Sequence, residues 1–373
     1  MSPSTSSKAL WLRFTLSAII LAAALMQLPS FLSDYGQDYA AARGWWHGQD
    51  TNSRTADLLA ECCATMAPAY GGMQTAHPPF ATLLALPLGW LPWPVARVTW
   101  LLLSWFAITI AWLLLRVSPW LCAATASFWI IALGLGTHEP LLFMLLTLAL
   151  ASQARAPRLA AVLVGLCAAI KVYPVLLILG LWISGHRRMA LIAVATGVTA
   201  LVLSELILGV GVTLAWLRFV PVNTLFYVDD IGNGSLVRMV RAVLPSAAPL
   251  LVTVVALVLL LLPLIPRIRA GIWLQPLMPV LLLVSPLSWR HYMGLVTIEP
   301  AQPFEVICLA IAGVAALLIG MHVLPPDNMA PVVQSPLLLA LLLMWYRQAR
   351  STGPRAVHTD QDIRDFQNED KRT

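Results

Sequence analysis

Ten apolar stretches follow one another along this chain, and none of them holds more than one charged residue. They run approximately Ala9–Leu28, Pro94–Leu115, Trp120–Leu135, Pro140–Ser152, Leu159–Trp182, Met189–Leu208, Ala248–Leu264, Ile272–Val284, Phe304–His322 and Pro336–Tyr346. A bilayer crossing takes about 20 apolar residues. Several stretches are shorter, so tilted, broken or re-entrant helices are expected. Of 40 charged residues, 11 lie in the last 27 positions, which leaves 29 for the first 346. A soluble globule charges about a quarter of its residues, so a soluble enzyme is excluded. Five cysteines in 373 residues are too sparse for a secreted disulfide scaffold. The expected fold is an all-α polytopic transmembrane helical bundle of about 9–11 spans with a long first external loop. It occupies residues 1–348, and 349–373 form a disordered, polar cytoplasmic tail.

Flanking charge sets the orientation. The net charge of +6 reflects Lys and Arg collected in cytoplasmic loops. No basic stripe interleaved with aromatics calls for a nucleic-acid partner. Lys8 places the amino terminus inside, and the first apolar stretch reads as an uncleaved span because no small-x-small site precedes the polar segment. Residues Pro29–Pro79 then lie outside, with Asp34, Asp38, Asp50, Asp57 and Glu61 against Arg43 and Arg54. Arg116, Arg155, Arg158, Arg187, Arg188, Arg267 and Arg269 face inward. Arg158 and Arg187 flank one apolar stretch, so both of its ends seek the cytoplasm. Two half-helices broken near Lys171 and Pro174 resolve that conflict. Irregular backbone at membrane depth needs protein or a water cavity beside it, so the break is expected to border a cavity.

A few side chains in these segments carry chemistry. Asp34 and Asp38 share one face if their segment is helical. Two carboxylates at a membrane surface serve a general base or a metal, although a solvated acidic loop has the same spacing. Lys171 is costly in apolar sequence, by about 2.5–3.5 kcal/mol. It either snorkels or supplies fixed positive charge to a phosphate in a dry cavity. A second external segment, about Gly209–Ser246, holds Asp229, Asp230 and a small cationic face of Arg238 and Arg241. Ser285 to Tyr292 packs a hydroxyl, a proline, Trp289, Arg290 and His291 together. Phe80 to Pro94 reads as an interfacial helix with Trp90 and Trp93 at headgroup depth. Adjacent Cys62 and Cys63 are too strained a pair to bridge. His138-Glu139, at a short outer turn, is placed either to touch a site or to be solvated, and the solvated reading is the usual one for such a pair.

In this order the motifs resemble glycosyltransferase family 87, polytopic mannosyltransferase-like enzymes of the GT-C superfamily that use polyprenyl-phosphate sugars. Asp34-Tyr35-Gly36-Gln37-Asp38-Tyr39-Ala40-Ala41-Ala42 is similar to the family's D-[FL]-x-x-Y-Y-x-A-A, with Asp38 where a Tyr is usual. His77-Pro78-Pro79-Phe80-Ala81 resembles Y-P-P-[FL]-A, with His77 in place of the Tyr, and Pro87 to Pro92 resembles P-L-x-x-[LF]-P. Gly165-Leu166 through Lys171-Val172-Tyr173-Pro174 matches G-L-x-x-x-x-K-x-Y-P. Asn233-Gly234-Ser235-Leu236 resembles N-x-S-L, and Ser285 through His291 resembles S-P-x-S-W-x-H. A glycine-glutamine motif usual before the fourth span is replaced by Gly136-Thr137-His138-Glu139.

The resemblance, which covers about Ser33 to Tyr292, implies transfer of a mannose-like hexose from a polyprenyl-phosphate donor. The acceptor is a lipid or glycan on the extracytoplasmic face of the cell's inner membrane, among membrane lipids. It implies Asp34 or Asp38 as catalytic base, and Lys171, His291 and Arg241 around the phosphate, with Tyr39, His77, Asn233 and Arg290 as further substrate contacts. A single lipid phosphate carries less charge than a nucleotide diphosphate, so neither a metal nor another cofactor is expected. The rival is a transporter or lipid flippase, which needs charges along a path through the membrane, whereas most polar residues here cluster at the outer face.

Overall fold

Proline stands at the first or second position of most of the apolar helices, where its missing N–H is not needed and its fixed φ already suits a helix. The computed structural model describes residues 3–27, 33–60, 74–230, 233–320 and 326–351. These form α1 (Pro3–Gln27), α2 (Ser33–Trp46), α3 (Thr55–Ala60), α4 (Pro79–Gly89), α5 (Trp93–Leu114), α6 (Pro119–Leu135), α7 (Glu139–Ser152), α8 (Pro157–Ile170) and α9 (Val175–Ile183). The chain continues through α10 (Arg187–Leu208), α11 (Val212–Tyr227), α12 (Leu236–Val243), α13 (Pro249–Leu261), α14 (Ile265–Arg269) and α15 (Leu274–Val284). A 3₁₀ segment, Arg290–Ile298, precedes α16 (Pro303–Gly320) and α17 (Pro326–Arg350). Among the described residues there is no strand. Asn233 and Trp289 form one isolated bridge. The fold is all-α, as expected.

Four stretches, Ser7–Met26, Trp93–Leu114, Arg187–Leu208 and Pro249–Arg269, are each long and apolar enough to cross a membrane. Shorter apolar helices pack between them. Their outer faces are oily: Leu191, Val194, Val198, Val202 and Leu206 form an exposed stripe down α10. Such a stripe is a liability in water but suits lipid. Inside, Trp112, Phe128, Trp129, Leu133 and Phe143 are fully buried where α5, α6 and α7 meet. Arg13, a charge within the first apolar helix, spends its donors on the carbonyls of Arg116 (3.1 Å) and Val117 (2.7 Å) at the turn after α5.

The predicted break is present. The helix stops at Ile170, Lys171 is extended (φ −140°, ψ 144°), and α9 starts at Val175. The height of Lys171 is set by α8, which lies close against α10. A Cβ added at Gly165 would stand 2.4 Å from the Ala193 carbonyl oxygen and 2.8 Å from the Thr196 side chain. Gly165→Ala is therefore expected to part these helices and cost about 1–3 kcal/mol, read as a lower melting temperature in detergent.

Residues 209–246 are largely helical, filled by α11 and α12. The last helix runs well beyond Pro336–Tyr346 in both directions, since Arg347 near its end is held by Glu299 and Glu305 at 3.2 Å each. The Cys62–Cys63 pair and tail residues 352–373 lie outside the described residues.

Candidate active site

Beside the break lies a cavity of about 810 Å³. Its polar wall is formed by Asp34, His77, Lys171, Arg290, His291 and Tyr292. Its apolar wall comes from α13, α15 and α16 through Thr253, Leu257, Leu281, Val284, Ala316 and Leu317. A carboxylate from just past α1 and an ammonium from the broken helix thus share one chamber, although 137 positions separate them in the sequence.

The segment holding Asp34 and Asp38 is helical, and the two carboxylates have different surroundings. Asp34 leaves 24% of its side chain exposed, towards the cavity. Asp38, one turn on, is fully buried behind the wall. There its Oδ2 accepts from His77 Nδ1 at 2.8 Å and lies 3.6 Å from His138 Nε2. Burial raises the pKa of Asp34 above the ordinary carboxylate range, against the opposing pull of His77 and Lys171. Burial also pushes Asp38 up to about 6, against His138 and Lys171. His77 is held down to about 3, first by burial and then by Lys171. It therefore stays neutral at physiological pH.

Along the same polar wall, and just behind it, runs a chain of ionisable groups. Lys171 Nζ donates to the Tyr292 hydroxyl at 3.1 Å and lies 3.5 Å from Glu139 Oε1. The other oxygen of Glu139 is 3.8 Å from His291 Nε2, which is itself 3.8 Å from Asp34 Oδ2. One imidazole therefore stands between two carboxylates. Glu139 and His138 are fully buried, which corrects their reading as a solvated pair: the turn after α6 folds inward. Gly136 takes the left-handed conformation there (φ 68°, ψ 34°), and its carbonyl accepts from Trp100 Nε1 at 2.8 Å.

A sequence model of glycosyltransferase family 87 matches residues 76–286, more than half of the chain. The chain belongs to glycosyltransferase family 87. No curated protein and no solved structure matches it. As a family 87 member with four bilayer-length apolar helices, it is a membrane enzyme that transfers a sugar from a donor to an acceptor. The matched stretch contains His77, Glu139, Lys171 and Asn233, while Asp34 and His291 lie outside it and are brought in by the fold.

In this family 87 chain the remaining candidates have other surroundings. Tyr39 is buried, packs its ring at a tilt against Trp93 and donates to the Leu91 carbonyl at 2.9 Å, so it fastens α2 to the turn after α4. Asn233 is a buried clamp. Its Nδ2 donates to the carbonyls of Val228 (2.9 Å) and Pro286 (2.8 Å), and its Oδ1 accepts from the backbone of Ser235 (3.1 Å) and Ser288 (2.9 Å). It thereby holds the Ser285–Trp289 turn that carries Arg290 and His291. Arg241 does not reach the cavity wall, because its guanidinium makes a bidentate pair with Asp229 at 2.7 and 2.8 Å. Arg290 does line the cavity. Sequence reasoning missed Glu139 and Tyr292 as site residues. A signal for Glu139 existed: a carboxylate between two long apolar runs invites the same question as Lys171.

Proposed function

We propose that this enzyme moves a hexose from a polyprenyl phosphate to a lipid or glycan acceptor, with Asp34 as general base, at the extracytoplasmic face of the inner membrane. The observation that carries this reading is the single cavity with a base on one wall, cations near it, and an apolar wall beyond. A polyprenyl chain suits the largely apolar surface of α13, α15 and α16, where it strands few polar groups. The sugar and phosphate then lie at the polar wall.

The reaction needs few parts. The acceptor hydroxyl gives its proton to the Asp34 carboxylate, and its oxygen bonds to the anomeric carbon. The bond from that carbon to the phosphate oxygen breaks, and polyprenyl phosphate leaves with the electron pair. Charge moves through an oxocarbenium-like state, so fixed cations near the departing phosphate are most useful in a dry site. Lys171 and Arg290 fill that role. His291, between Asp34 and Glu139, orients the base. Asp38 faces away from the cavity, which favours Asp34 as the base.

The test is transfer from radiolabelled polyprenyl-phosphate hexose by membranes carrying the protein, compared with Asp34 and Asp38 variants. Because burial raises the pKa of Asp34 and a base must be unprotonated, kcat/KM is expected to climb with pH along a limb centred above the ordinary carboxylate range. A profile already flat from about pH 4 upward would count against Asp34 as the titrating base.

A further inference from the structure

A lipid-phosphate donor calls for no metal, yet one set of side chains behind the cavity wall is composed like a metal site. Asp38, His77 and His138 each offer one ligand atom, and these atoms all lie within 4.8 Å of one another. All three side chains are buried. They come from three separate segments: α2, the approach to α4, and the turn between α6 and α7.

Hydrogen bonding among them accounts for only part of the cluster. The 2.8 Å contact from His77 Nδ1 satisfies Asp38 Oδ2. Asp38 Oδ1 and both ring nitrogens of His138 have no hydrogen-bond partner among the described residues. At 3.6 Å, His138 Nε2 is too far from Asp38 Oδ2 for a hydrogen bond. A fully buried imidazole facing a carboxylate with no bond made is a costly arrangement, and a cation placed among these atoms removes the cost. Side chains 39 and 61 residues apart in the sequence meet at one point.

We propose that Asp38, His77 and His138 bind a divalent cation of the zinc class. Two imidazole nitrogens and one carboxylate oxygen suit Zn²⁺, whereas Mg²⁺ and Ca²⁺ prefer all-oxygen sets. Only His77 of the three lines the cavity, so the ion is a brace. It ties the start of α4 and the turn before α7 to α2, one turn from Asp34, and acts on the reaction by positioning that base.

The experiment uses the full, untagged chain in detergent, loaded with Zn²⁺, dialysed and measured for metal by elemental analysis. The expected result is about one zinc per chain, falling at least about tenfold in Asp38→Asn, His77→Tyr and His138→Asn. His77→Tyr keeps an aromatic ring but removes both ring nitrogens, which keeps the test informative if another variant misfolds. Co²⁺ added to the unsubstituted chain is expected to give the visible absorption of a low-symmetry four-coordinate site, lost on Zn²⁺ competition. An unsubstituted chain that retains no zinc overturns the proposal. So does a His77→Tyr chain that retains zinc at the unsubstituted stoichiometry.

Discussion

Asp34→Asn is expected to reduce transfer by a factor of at least about 10² while leaving the folded protein intact. The amide has the same shape but cannot accept the acceptor's proton. No close hydrogen bond is lost among the described residues, because the imidazole of His291 keeps its Nε2 3.8 Å away. A quarter of the Asp34 side chain already faces the cavity, so its burial energy changes little. The measurement is kcat/KM for the labelled donor beside a melting curve of the same preparation. Full activity in this variant would falsify the assignment of the base. Asp38→Asn supplies the contrast. That side chain does not line the cavity, so its loss should act through His77 and the placement of α2.

Lys171→Met is expected to have the largest effect on stability. The change leaves Glu139 fully buried without the ammonium that lies 3.5 Å from it. Breaking a buried pair by deleting one partner costs about 3–5 kcal/mol, most of it from the charge left alone. The double variant Lys171→Met, Glu139→Gln removes that stranded charge and is expected to recover most of the loss. It should remain inactive, because the donor phosphate still lacks its cation. Thermal unfolding of the three proteins in one detergent separates the effects. If the double variant is no more stable than the single one, the pair is not what holds these helices together.

The helical class and the break at Lys171 were legible because each follows from a local conflict. An apolar run flanked by Arg158 and Arg187 and interrupted by Pro174 cannot remain one straight helix. Asp34 and Asp38 were legible as neighbours, since four positions make one helical turn. Their different surroundings were not, because α4, α5 and the turn after α6 decide which carboxylate is covered. His138 and Glu139 were misjudged for the same reason: burial at a turn depends on what packs over it, and Trp100, which caps that turn, lies 36 positions earlier. Arg241 looked like part of a cationic face with Arg238. Only the fold shows that Asp229, 12 positions before it, takes up its guanidinium.

The pairing of Glu139 with Lys171 also has a bearing on how this chain is made. Glu139 opens α7, and Lys171 stands in the break just after α8, the next helix, which packs against α7. Opposite charges can therefore enter lipid as a neutral couple as soon as that hairpin leaves the ribosome, before His291 has been synthesised. The imidazole that completes the chamber arrives more than a hundred residues later, so a prematurely terminated chain could insert without a working centre.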